Sequence, residues 1–146
     1  MLSEIKPASL ADFLIIHSEK VGAISKIIAK KMGIDNEVFE IAGWVHDIGY
    51  SKNIEDHARF AIPILRDLGY ETNEILEDCI LNHGNGKTPG TIQGKIFQLS
   101  DKLSIFDSKI IESMINHGGF PLKNEDVDLL KNFSEKSFEL LKNFEG

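Results

Sequence analysis

Apolar residues recur at spacings of three and four along almost the whole chain, and metal-ligating side chains sit inside or at the ends of those stripes. That pattern constrains the fold more than any other feature. A repeat near 3.6 residues makes helices with one buried face. No segment alternates with a convincing period of two, so the fold class predicted is all-α, a single helical bundle of five to seven helices over residues 1–146. The core of the domain is expected over about residues 10–110, with a C-terminal helical extension over about 120–144.

The first helix is expected to open at Pro7–Ala8 and to end near Lys30–Lys31, before Gly33. Leu10, Phe13, Leu14, His17, Val21, Ile24 and Ile28 make its apolar stripe, which puts His17 in the middle of the buried face. Asp35 is the expected cap of a second helix, with Val38, Ile41, Ala42, Val45 and Ile48 as its buried face. His46 and Asp47 fall in the last turn of that helix, just before Gly49. A third helix from about Glu55 carries His57, Ala61, Ile64, Leu65 and Leu68 on one side, bends at Pro63 and stops at Gly69. Thr72 or Asn73 caps a fourth, whose stripe of Ile75, Leu76, Cys79 and Ile80 is closed by His83. Residues 83–90 hold three glycines and a proline and read as a loop beside His83. A fifth helix is expected from Thr91 to His117, with Ile92, Ile96, Leu99, Leu103, Phe106, Ile110 and Met114 buried and Asp101 next to the stripe. A last amphipathic helix runs from Glu125 to about Phe144.

Charge and cysteine usage exclude several classes. The formal net charge is −7, which gives no bulk attraction to a nucleic acid polymer. The one cysteine, Cys79, allows neither an internal disulfide nor a thiolate cluster, and its apolar neighbours make it a core residue. No basic region followed by an apolar run opens the sequence, and no run of 18 apolar residues exists, so neither a signal peptide nor a membrane partner is expected and the default compartment is cytoplasmic. Phe120, Phe133, Phe138 and Phe144 cover either the body of the domain or a partner chain, which leaves a homodimer open.

A lone histidine on an apolar face is more often a hydrogen-bonded core residue than a ligand. Here the candidates count together. Four of the five histidines, His17, His46, His57 and His83, border the expected core, together with Asp47 and Asp101. Burying six such groups without compensation is expensive. A cation compensates them together, since it takes neutral imidazoles and ionised carboxylates. The donor set suits one or two divalent transition ions, with manganese, iron, cobalt, nickel and zinc all compatible. A structural zinc site closes with four ligands, so six candidates point to an open position or a second ion.

The order His17, His46–Asp47, Asp101 resembles the HD domain, a family of helical metal-dependent phosphohydrolases. The motif reads His46-Asp47-Ile48-Gly49, and Asp101 stands in Leu99-Ser100-Asp101-Lys102-Leu103 like the family's final aspartate. The resemblance implies that His17, His46, Asp47 and Asp101 hold a first ion. It further implies that Asp47 bridges to a second, held by His57 and His83. If one ion binds, His57 and His83 face the phosphate instead. His57 and His83 fit the extra histidines of dinuclear members, among them hydrolases of dinucleoside polyphosphates and of cyclic dinucleotides. The Gly-Tyr-Pro extension typical of the latter is missing here.

The function implied is hydrolysis of a nucleotide or related phosphate ester by metal-activated water, as a phosphomonoesterase, a phosphodiesterase or a dinucleoside polyphosphate hydrolase. Asp47, Lys52, His57 and His83 are the candidate catalytic residues. Lys52 is the foremost candidate for phosphate binding, with Arg59, Lys87 and Lys102 behind it; each of these side chains is otherwise an ordinary solvated one. Tyr50, Phe60 and Phe106 are aromatics that either stack on a base or pack in the core. Two other readings use the same cage: a nucleotide- or metal-binding regulatory module without turnover, and a di-iron oxygenase-like enzyme.

Overall fold

The structure is a computed structural model and describes residues 8–51, 57–84 and 86–106. The expected fifth helix gives way at Ser104 to a 3₁₀ turn, and Lys52, most of the turn before His57, the stretch of that expected helix beyond Phe106 and the helix expected at 125–144 lie outside the described residues.

Among the described residues five α-helices follow one another: α1 (Ala8–Met32), α2 (Val38–Val45), α3 (His57–Asp67), α4 (Glu74–Leu81) and α5 (Ile92–Leu103). Short 3₁₀ turns occupy Ile48–Ser51 and Ser104–Phe106. Among the described residues there is no strand. α1 packs along both α2 and α5, and α4 lies against α2, α3 and α5. The turn Ile48–Ser51 packs on α3. The core at their centre is built from Val21, Phe39, Ala42, Ile62, Leu65, Leu76, Ile80, Ile96 and Phe97, with Cys79 fully buried among them. Burial pushes the Cys79 thiol up to about 12, so it is an inert apolar group.

The helix ends follow local chemistry. Gly33 (φ +70°) and Gly69 (φ +85°) take the left-handed conformation that stops α1 and α3. Asn73, rather than Thr72, caps α4, its side chain accepting from the Leu76 amide at 2.8 Å. Asp35 caps no helix. Its carboxylate accepts from the Glu37 amide at 3.1 Å, a turn that delays the start of α2 to Val38. Pro63 sits inside α3 as expected, on an exposed position.

Two buried faces differ from those predicted. On α1 the fully buried line is Leu14, Ser18, Val21, Ser25 and Ala29. His17, Ile24 and Ile28 flank it, so His17 looks sideways and is not central. On α2 the buried positions are Phe39, Ala42, Gly43 and Val45, whereas Val38 is half-buried and Ile41 is exposed. The cause is a close crossing of α1 and α2. A Cβ at Gly43 would stand 2.7 Å from the Ser18 carbonyl and 2.9 Å from the Gly22 Cα. Small residues make that contact and the larger apolar side chains are displaced to its flanks. Leu68, Ile92 and Phe106, also expected in the core, are exposed; Leu68 lies just past α3 and Ile92 opens α5.

Candidate metal centre

His46 continues the buried line of α2 as its C-cap residue. A helix end leaves its last carbonyls without amide partners. The ring of His46 uses one of them, with Nδ1 2.8 Å from the Gly43 carbonyl. His83, just past the end of α4, does the same with the Ile80 carbonyl at 2.6 Å. A carbonyl only accepts, so in both neutral rings Nδ1 carries the proton and Nε2 keeps a bare lone pair. Asp47 follows His46 directly and opens into the turn Ile48–Ser51. A Cβ on Gly49 would fall onto the carbonyl of His57, so this glycine lets the start of α3 close on the turn. His57 is thereby delivered to the cluster on α3.

The four histidines converge through Nε2 on the two carboxylates. His17 Nε2 lies 3.3 Å from His46 Nε2, 3.4 Å from Asp47 Oδ2 and 3.0 Å from Asp101 Oδ1. His46 Nε2 lies 3.1 Å from Asp47 Oδ2 and 3.5 Å from Asp101 Oδ1. The other oxygen of Asp47, Oδ1, faces His57 Nε2 at 3.0 Å and His83 Nε2 at 3.7 Å. The last two rings are 3.2 Å apart, Nε2 to Nε2. Asp47 thus stands between two groups of donors, one oxygen toward each.

The spacing fits cations. Donors about 2.1 Å from a shared ion in tetrahedral or octahedral order stand about 3.0–3.4 Å from one another. The edges of the first group match that range closely. Lone pairs on neighbouring imidazoles repel across 3.3 Å unless something positive lies between them. The electrostatics give the same answer. Burial opposes charge on His46, yet Asp47 and Asp101 outweigh it and push the imidazole up to about 10. Burial likewise disfavours the charged form of both carboxylates, but the His46 charge on Asp47, and the Lys102 charge with His17 and His46 on Asp101, hold them well below the usual carboxylate range. The cage therefore demands positive charge, and in metal-free protein a proton supplies it.

All six predicted ligands come together in this one place. The predicted phosphate-binding residues separate. Lys102 is buried, with Nζ donating to Asp101 Oδ2 at 2.8 Å and to the His83 carbonyl at 3.4 Å. Lys87 is exposed on the loop after His83, whose Gly84 and Lys87 carbonyls both accept from the Gln98 side chain. Arg59 is exposed on α3, its guanidinium 5.1 Å from the Phe60 ring centre. Lys52 lies outside the described residues. Sequence reasoning passed over Ser104. It is buried, donates to the Asp101 carbonyl at 2.8 Å and stands 3.2 Å from His17 Nδ1. A serine carries no periodic or motif signal, so nothing in the sequence pointed to it.

Similarity to known proteins agrees with this geometry. A deoxyguanosinetriphosphate triphosphohydrolase-like protein of Caldanaerobacter subterraneus subsp. tengcongensis is 25% identical over 143 residues, covering 84% of this chain and 41% of that protein. A ribonuclease Y of Opitutus terrae is 30% identical over 91 residues, covering 60% of this chain and 17% of that protein. The chain thus spans less than half the length of either relative. No solved structure gives a significant match. The family model described as "HD domain" matches residues 14–105, more than half of the chain and a stretch that holds all six converging side chains. The chain belongs to the HD domain family.

Proposed function

We propose that the chain is a metal-dependent phosphohydrolase with a two-ion centre, acting on a nucleotide or a related small phosphate ester. The observation that carries this reading is the position of Asp47, with Oδ2 toward His17 and His46 and Oδ1 toward His57 and His83. In this reading His17, His46, Asp101 and Asp47 would hold one ion, and Asp47, His57 and His83 would hold the other. Divalent transition ions bound there supply Lewis acidity for the phosphoryl oxygens and lower the pKa of water toward neutrality.

The chain's own residues do the rest. Gly43 and Ile80 fix the rings of His46 and His83 through their carbonyls, so that no ligand must reorient during turnover. Lys102 neutralises part of the carboxylate charge that would otherwise repel a phosphate. Lys87 and Arg59, both exposed, and Lys52 are the proposed contacts for the substrate's anionic end. The name of the first relative supports a nucleoside triphosphate as the class to try first. The net charge of −7 favours a small ester over a polymer.

The test begins with elemental mass spectrometry on the purified protein. Two transition ions per chain are expected, falling to about one in His57→Ala. Deoxynucleoside triphosphates, dinucleoside polyphosphates and simple monoesters are then assayed with Mn²⁺ or Co²⁺, with Asp47→Ala as the inactive control. No metal uptake after reloading with Mn²⁺, Fe²⁺, Co²⁺, Ni²⁺ or Zn²⁺ would overturn the reading.

A further inference from the structure

His46 and His83 draw their tautomers from carbonyls left over at helix ends. His17 has no such resource. It lies in the interior of α1, where each carbonyl is already committed to the helical ladder. Its Nδ1 meets Ser104 Oγ at 3.2 Å instead, across 87 positions of sequence. The serine hydroxyl has one proton, and the Asp101 carbonyl takes it at 2.8 Å. What Ser104 offers to His17 is therefore a lone pair. A lone pair there is satisfied only by an N–H on Nδ1, which leaves Nε2 bare and aimed at Asp101 and Asp47.

We propose that Ser104 is a positioning residue that fixes the tautomer and ring angle of His17, and so sets the affinity of the His17–His46–Asp101 half of the centre. The same hydroxyl ties that ring to the backbone of Asp101, so the two ligands contributed by α1 and α5 are held at one mutual distance. Without the hydroxyl, the N–H of His17 is free to move to Nε2. There it donates to Asp101 Oδ1, 3.0 Å away, and the pair is satisfied with no ion. The role deepens the two-ion reading and rests on it for its consequence, though not for the tautomer itself.

Thr and Val at position 104 have nearly the same shape and differ in the hydroxyl. Two readouts are taken on Ser104→Thr, Ser104→Val and Ser104→Ala, all checked for folding by circular dichroism. The first is the long-range ¹H–¹⁵N correlation of the His17 ring in metal-free protein. The second is Zn²⁺ affinity by competition with a chelator. Expected are an Nδ1–H signature and near-native affinity for Thr. For Val and Ala the signature is lost and affinity falls about 10- to 100-fold, the usual effect of removing an outer partner of a metal-bound histidine. An unchanged Nδ1–H signature with affinity within about two-fold in both Val and Ala would overturn the proposal. Should the wild-type protein bind no Zn²⁺, the two-ion reading falls, and the ring correlation still decides whether Ser104 sets the tautomer. If Thr proves too large for the site, the comparison of wild type with Ala carries the same test.

Discussion

At the scale of single residues, the centre is a balance between two carboxylates and the positive charge they require. His46 shows it most directly. Its imidazole is pushed from 6.5 to about 10, so in metal-free protein it contributes stability that is full below 6.5 and is lost as pH rises through about 10. Asp47 and Asp101 are held below their usual range, so their contribution is present above the unfolded value near 3.8 and is lost on acidification. Thermal melts of metal-free protein are therefore expected to show falling stability between pH 6.5 and about 10. Metal-loaded protein should lack that alkaline loss, because the ion replaces the proton. His46→Ala should remove the dependence altogether. The two oxygens of Asp47 give a second prediction. In Asp47→Asn one face keeps an oxygen and the other gains an amide, so metal content should fall to about one ion per chain and hydrolysis should drop by about 10²-fold or more. Equal retention of both ions would show that the carboxylate does not join them.

At the scale of elements, glycines place the ligands, and they do so by letting backbones approach. Gly49→Ala drives a methyl into the carbonyl of His57, which must move away from the turn. The expected result is loss of the His57–His83 ion with retention of the other, read by metal analysis, and a lower melting temperature. Asp78 has an equivalent role between α4 and α5. Its carboxylate accepts from Asn82 at 2.8 Å, from the Gly90 amide at 3.2 Å and from the amide and hydroxyl of Thr91, and it lies so close to Gly94 that a Cβ there would overlap it. These bonds outweigh its burial and hold its carboxyl below the usual range. Asp78→Ala is expected to destabilise the domain by about 1–3 kcal/mol in urea unfolding, since several donors lose a charged acceptor. Such contacts explain what the sequence did and did not reveal. The convergence of the six side chains was legible because His and Asp inside apolar stripes carry an energetic contradiction that only a few arrangements resolve. The buried faces of α1 and α2 were legible only in part. Their closest contact is made by Ser18, Gly22 and Gly43, which hydrophobic periodicity does not register, and so His17 was set centrally when it lies at the flank.

At the scale of the whole molecule, the candidate ligands come from almost every element: His17 from α1, His46 and Asp47 from the end of α2, His57 from α3, His83 from beyond α4 and Asp101 from α5. No two neighbouring helices suffice to build the centre, and the motif around His46 supplies only two of six side chains. That is why the family was readable from scattered residues while the order of contacts was not. Among the described residues no helix is long and apolar enough to cross a membrane. The bond between Ser104 and His17, 87 positions apart, has a meaning in polymer terms. An ion held between His17 of α1 and Asp101 of α5 is a reversible cross-link closing a loop of nearly that length. A covalent link of similar span removes about 4–5 kcal/mol of chain entropy from the unfolded state. Contacts so distant in sequence form late in folding. Metal loading is therefore expected to act as a clasp, slowing unfolding in stopped-flow denaturant jumps while leaving the refolding rate nearly unchanged.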